Sequence, residues 1–210
     1  MNAGANTYLP RSVTLTASGV TFFARHGQCR SNTEWPIADY HDLIDPLTEL
    51  GKAQARNCGR FFAGLVPSST WQIYSSALRR AIQTAEIIAE ETDSVLVRPD
   101  PRLNEYSNAL EDHSALLARL ESLLSDLRAT PTGENERHLV VTHGHVLECL
   151  LCKALGAEIR VIDKGDHGGQ AGVAGHANGG VSAFYNGELL LWNAQAHLFT
   201  SHETVAPVTT

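Results

Sequence analysis

Arg25, His26, Arg80 and His143 are the residues of this 210-residue chain whose types and positions could do chemistry together. Each follows a short apolar run. Val20 to Ala24 ends at Arg25-His26-Gly27, Trp71 to Tyr74 leads through Ser75-Ser76 to the helical stretch holding Arg80, and His138 to Thr142 ends at His143-Gly144-His145. Such runs read as buried strands, and the C-terminal ends of parallel strands open onto one crevice. That crevice would be cationic. Guanidinium forks match phosphate oxygens and a helix N-terminus adds backbone donors, so a phosphate group is the expected ligand. Neutral imidazole adds a nucleophile near pH 7, and the phosphoramidate formed on it is labile to water in a second step. Glu105 arrives on a separate loop behind Pro99 and Pro101 and could protonate a leaving oxygen, a task suited to a partly buried carboxyl.

Periodicity supplies the elements that position these groups. Thr48 is an N-cap for a helix running to Phe62, with Leu50, Ala53, Cys58, Phe61 and Phe62 as its apolar face. Ala77 to Glu90 repeats Leu78, Ile82, Ala85 and Ala89 at helical spacing, and Leu116 to Leu127 and Val146 to Leu155 are two further helices. Val95 to Val97 is a further strand, and Val181 to Tyr185 and Glu188 to Trp192 flank Asn186-Gly187, a hairpin signal. Alternating strands and helices with a terminal hairpin predict a three-layer α/β/α sandwich with a mostly parallel central sheet and an antiparallel edge. One domain spans residues 1–210, with its core at about 20–199 and flexible termini in Met1 to Gly19 and Ser201 to Thr210. The glycine-dense stretch Lys164 to Gly180 reads as a long mobile loop, a lid or a tolerated insertion.

Composition narrows the partners. Hydrophobic residues at 43% and charged residues at 19% are those of a chain that folds alone. A formal net charge of −7 argues against a general nucleic-acid or anionic-membrane surface but leaves room for a local basic pocket. Cys149-x-x-Cys152 lies in an apolar helical run without a second pair for zinc and without thioredoxin-like context, so helix-face thiols in a reduced, cytoplasmic protein are expected. The chain lacks a run of about 18 apolar residues, and no membrane partner is expected. His143-x-His145 with His167 and His176 could suggest a metal site, but no aspartate stands beside the pair as a bridging ligand; neither metal nor cofactor is expected. His41, His113, His138, His197 and His202 are expected at the surface. Leu189 to Trp192 on an edge strand could support a homodimer.

Five patches, in order, resemble the histidine phosphatase superfamily, which includes the cofactor-dependent phosphoglycerate mutases. Phe22-Phe23-Ala24-Arg25-His26-Gly27 followed by Asn32 resembles R-H-G-x-T-x-x-N. Pro46-Leu47-Thr48 with Gly51, Gln54 and Ala55 is similar to P-L-T-x-x-G-x-x-Q-A, and Ser76, Leu78, Arg80, Ala81, Thr84 and Ala85 match S-x-L-x-R-A-x-x-T-A. Leu103-Asn104-Glu105 resembles the L-x-E that carries the acid, and Val140-Val141-Thr142-His143-Gly144 the final V-V-x-H-G. Asn178 to Ser182 and His197-Leu198 are also placed like family features. The resemblance implies a phosphoglycerate mutase-like fold with His26 as the phosphorylated nucleophile. It further implies Arg25 and Arg80 holding the phosphoryl oxygens, His143 donating to them, Glu105 as proton donor, and Gln28, Asn32 and Gly144 lining the phosphate site.

Cys29 replaces the signature threonine, which removes a hydroxyl donor. Ala109-Leu110-Glu111-Asp112-His113 stands where the family has G-x-W-E-G, so Glu111 or Asp112 could share the acid role. His143 follows Glu105 by only 38 residues, whereas the mutases carry a much longer insertion there, which favours a phosphatase. The expectation is a metal-independent phosphomonoesterase acting on a small phosphorylated metabolite, such as a sugar phosphate, nucleotide or biosynthetic intermediate. Its alternatives are a mutase-like phosphotransferase, a non-catalytic phospholigand-binding protein of the same fold and a metal-dependent hydrolase. Trp35, Tyr40, Tyr106 and the 164–180 stretch are candidates for contacting the rest of the substrate.

Overall fold

The computed structural model describes residues 14–17, 19–34, 42–67, 69–107, 110–130, 133, 135–157 and 176–199. Both terminal stretches for the most part, Trp35, Tyr40, His41, His167, His202 and most of the 164–180 stretch lie outside the described residues.

Six strands form one sheet: β1 (Val20–Arg25), β2 (Thr70–Ser75), β3 (Val97–Pro99), β4 (Glu136–Thr142), β5 (Val181–Tyr185) and β6 (Glu188–Ala194). Their order is β3-β2-β4-β1-β5-β6. β1, β2, β3 and β4 pair parallel, and β5 and β6 add antiparallel on the far side. Helices α1 (Glu49–Leu65) and α2 (Arg79–Glu91) cover one face, and α3 (His113–Ala129) and α4 (Gly144–Leu155) the other. The predicted three-layer α/β/α sandwich with an antiparallel edge is the observed architecture.

Strand alternation divides the core in two. Phe22 and Ala24 of β1 and Leu139 and Val141 of β4 pack on Phe62 of α1 and on Ala85 and Ile88 of α2. Phe23 and Val140 point the other way, onto Leu116 and Leu120 of α3 and Val146 and Leu147 of α4. Both faces are covered, which is why these strands read as unbroken apolar runs. The hairpin turn places Asn186 at φ 50° and Gly187 at φ 87°, the left-handed pair that matches strand twist. β6 forms one edge of the sheet.

The third strand differs from expectation. It runs over Val97–Pro99 rather than Val95 to Val97, because only these residues reach the register opposite Ile73–Ser75, and Val95 stands 99% exposed. Pro99 is tolerated since β3 is the edge strand. No helix among the described residues is long and apolar enough to cross a membrane.

The loop leaving β1 presses on the start of α1. Thr48 donates its backbone N–H to the Gln28 carbonyl at 2.9 Å, and its hydroxyl caps α1 by accepting from Gly51 N–H at 3.1 Å. A Cβ on Gly51 would lie 1.9 Å from the Gln28 oxygen, and one on Gly27 would lie 2.3 Å from the Gly51 oxygen. Only glycine permits this approach. Gly51→Ala is therefore expected to cost about 1–3 kcal/mol in urea unfolding; a midpoint equal to wild type would show that the loop does not rest on the helix.

Candidate active site

β1 and β4 are neighbours with Arg25 opposite Thr142, so His26 and His143 follow adjacent strand ends. Their ring centroids are 5.0 Å apart, and His26 N–H donates to the Thr142 carbonyl at 2.9 Å. Arg80 enters from the first turn of α2, behind β2, with its side chain buried. The Arg25 guanidinium lies over Gly144, where a Cβ would be 3.3 Å from Cζ. Arg25, His26, Arg80, His143 and Gly144 are thus brought together at the strand ends.

The charges act on the histidines. Burial first, then Arg80 and Arg25, hold His26 well below its ordinary imidazole value. His143 is held well below it too, by burial, then Arg80, His26 and Arg25. Both rings are neutral at pH 7. His26 Nδ1 lies 2.7 Å from the Gly27 carbonyl, an atom that only accepts, so Nδ1 carries the hydrogen and Nε2 is bare. A bare, oriented imidazole nitrogen is a nucleophile.

His143 is tautomerically fixed through a chain of three residues. The Ala77 N–H donates to Asn104 Oδ1 at 2.9 Å, which identifies that atom as oxygen, and Ser76 Oγ lies 2.9 Å from it and must give it its single hydrogen. Ser76 Oγ therefore accepts from His143 Nε2 at 2.8 Å. His143 Nδ1 is left as a buried lone pair with no hydrogen-bond partner among the described residues. To donate to a phosphoryl oxygen, the ring must take up a second proton, on Nδ1. Ser76→Ala would strand the buried Nε2–H and is expected to lose about 1–3 kcal/mol of stability in urea unfolding. A variant as stable as wild type would mean that His143 carries its hydrogen on Nδ1.

Glu105 is half-buried, its Oε1 accepts from Tyr106 N–H at 3.0 Å, and its carboxylate acts on the Arg25 guanidinium. Glu111 is gripped at both oxygens by Arg119, at 2.6 and 2.9 Å, and Asp112 caps α3 by accepting from Ala115 N–H at 2.8 Å. Both alternative acids are engaged elsewhere. Gln28 is half-buried and accepts from the Thr48 hydroxyl through Oε1 at 2.8 Å. Asn32 is exposed and its Oδ1 accepts from Cys29 N–H at 3.1 Å and from Asn178 Nδ2 at 3.2 Å. Each amide spends its oxygen on the loop, so a phosphate would be met by the nitrogen. Cys29 is enclosed, and burial pushes its thiol up to about 11, which keeps it protonated and a poor target for oxidation.

Several positioning residues escape sequence reasoning. Asp45 is buried, with Oδ2 4.0 Å from Arg80 Nη1 and accepting from the Ser31 hydroxyl at 2.6 Å; its place directly before Pro46-Leu47-Thr48 was the available signal. The His176 carbonyl accepts from Arg25 Nη1, and Asn178 Nδ2 donates to the His26 carbonyl at 3.1 Å. His145 turns away from His143 toward His113, so the suggested His143-x-His145 pair is divided. His138 and His197 are buried rather than exposed; His197 Nε2 donates to the Gly179 carbonyl at 2.9 Å and its ring stacks on Phe61.

Burial lowers the pKa of His26, His138, His143, His176 and His197, His176 to about 4. The unfolded chain then binds more protons than the folded one below about pH 6.5. This stability is present above that pH and lost as pH falls toward the folded values, so the urea midpoint is expected to drop between about pH 7 and pH 5. A flat profile would contradict the neutral assignments.

A covered, mostly parallel sheet gathers two arginines, two neutral histidines and a carboxylate at its strand ends, the end at which such sheets bind ligands. The model of the histidine phosphatase superfamily (branch 1) matches residues 21–110 and 106–174, and the chain belongs to that family. It is 28% identical over 169 residues to the probable phosphoglycerate mutase GpmB of Proteus mirabilis, covering 64% of this chain and 74% of that one. A 2,3-bisphosphoglycerate-dependent phosphoglycerate mutase of Corynebacterium glutamicum is 37% identical over 92 residues, 42% of this chain and 35% of its own. The fold is shared with mycobacterial glucosyl-3-phosphoglycerate phosphatase in complex with VO3, at TM-score 0.63 and 22% identity over 84% of this chain and all of that one. It is shared also with a phosphoglycerate mutase of Bacillus anthracis, at TM-score 0.60 and 18% identity over 88% and 98% of the two chains.

Proposed function

We propose that the protein is a phosphomonoesterase that needs no metal ion and hydrolyses a small phosphorylated metabolite, such as a sugar phosphate, nucleotide or biosynthetic intermediate, through a phosphohistidine on His26. The observation that carries this reading is the bare Nε2 of His26, set by the Nδ1–H bond to Gly27 and flanked by the charges of Arg25 and Arg80. In the first step Nε2 attacks phosphorus in line, the P–O bond to the leaving group breaks, and Glu105 gives its proton to the departing oxygen. Water then attacks phospho-His26 and yields its proton to the now ionised Glu105, and the P–N bond breaks to release phosphate. Arg25 and Arg80 neutralise charge on the non-bridging oxygens, the work a divalent ion does in other phosphoryl-transfer sites, and His143 adds to them by taking a proton from the bound phosphate monoester onto Nδ1 and donating it back as a hydrogen bond.

A mutase reading draws support from the two relatives described as mutases. It would require the phosphoenzyme to be shielded from water until a second substrate accepts the phosphoryl group. The test is phosphate release from an aryl phosphate across about pH 5 to 8, before and after exhaustive chelation, with the phosphoenzyme trapped by denaturation at alkaline pH and then challenged with acid. Turnover that survives chelation, through an acid-labile phosphoenzyme, is the expected outcome. Loss on chelation would overturn the metal-free mechanism, and transfer to an added phosphoglycerate in preference to water would establish the mutase.

A further inference from the structure

His113, His145 and Cys149 form a second cluster that the reaction above does not use. His145 and Cys149 are four residues apart on α4 and so share a face, and His113 opens α3. The imidazole nitrogens and the sulfur all lie within 4.8 Å of one another. His113 Nε2 and His145 Nε2 are 2.8 Å apart. Cys149 is buried at the base, while both rings are half-buried and reach solvent. Tyr106 walls the cluster, its ring centroid 4.5 Å from that of His113 and 4.8 Å from that of His145.

The geometry points to a binding site for a borderline-soft divalent cation of the Zn²⁺ class, with His113 Nε2, His145 Nε2 and Cys149 Sγ as its three protein ligands. Two imidazoles and one thiolate are a donor set that suits zinc and disfavours Mg²⁺ and Ca²⁺, which require oxygen. With Zn–N bonds of about 2.0–2.1 Å in a tetrahedron, the two nitrogens would stand about 3.3 Å apart, so the rings need to separate by only about half an ångström. Binding replaces the N–H···N bond between the rings. The ring that holds its hydrogen on Nε2 moves it to Nδ1, the thiol gives its proton to water, and a water molecule completes the tetrahedron. Glu148 Oε2 stands 3.8 Å from His145 Nδ1, on the side where such a hydrogen would point. A hydrogen-bonded histidine pair alone would call for no sulfur at this spacing.

The site shares the charges of Glu105 and Glu148 with Arg25 but uses none of the groups that react in the proposed phosphoryl chemistry, and its test does not depend on turnover. The full-length chain is titrated with Co²⁺, followed by its thiolate-to-cobalt charge-transfer absorption, and then with Zn²⁺ in competition. One equivalent is expected to bring up the band and Zn²⁺ to abolish it. Cys149→Ser should remove the band, and His113→Gln should weaken binding about 100-fold or more, since even second-shell losses reach that range. His26→Ala should leave both unchanged, because the reaction's histidines are another pair. The proposal is overturned if no thiolate band forms, if His113→Gln binds as wild type, or if His26→Ala abolishes binding. Should Cys149→Ser not fold, His113→Gln, a half-buried change at a helix start, decides the matter alone.

Discussion

His26→Ala is expected to abolish turnover, lowering kcat/KM by roughly 10⁴-fold or more. In the proposed mechanism the nucleophile is the group whose loss the arginines cannot offset. The Nδ1 of His143 also presents a lone pair, so this variant decides which of the two rings takes the phosphoryl group. Arg25 and Arg80 stay in place in the variant, because the His176 carbonyl and Asp45 hold them independently of the imidazole. Binding of inorganic phosphate, read by calorimetry, should therefore fall far less than kcat. Activity within about tenfold of wild type would refute the phosphohistidine mechanism. Loss of phosphate binding in parallel would mean that the substitution disorders the crevice, which the urea midpoint would register separately.

Glu105→Gln should lower kcat on an alkyl phosphate by roughly 10²–10⁴-fold, the usual contribution of a positioned proton donor. The amide keeps the shape and the contact with Tyr106 N–H while removing the transferable proton. On an aryl phosphate, whose phenolate departs without protonation, the loss in the first step should be much smaller. The dependence of rate on leaving-group pKa should accordingly steepen in the variant. Equal losses on both substrates would remove Glu105 from the acid role. Asp112→Asn is expected to leave the rates unchanged, since that carboxylate caps α3 and is exposed.

Whatever depended on local periodicity was legible in the sequence. β1, β4 and β5 are buried on both faces and appear as short apolar runs; Thr48 announces α1, and Asn186-Gly187 announces the last turn. Val95 misled for a related reason, since an apolar residue beside a three-residue edge strand carries no signal of which residues reach the register. The candidate residues at the strand ends were legible by type and order, because arginine and histidine directly after apolar strand runs stand out from the core. Their partners were not. Arg25 and the His176 carbonyl that holds it are 151 positions apart, and nothing local marks a backbone oxygen as an anchor.

The sequence by itself therefore determined the alternation of strands and helices, the parallel sheet with its antiparallel edge, and the set of groups gathered at its strand ends. Those follow from side-chain periodicity and from residue chemistry, which are properties of short segments. Only the tertiary structure decided which nitrogen of His143 carries hydrogen, because that depends on Ser76, 67 positions away, and through it on Asn104. It also decided that two histidines two positions apart part company, His143 to His26 and His145 to His113 and Cys149. The N-terminal turn of α4 separates the two rings by its rotation, and packing against α3 settles what each one meets.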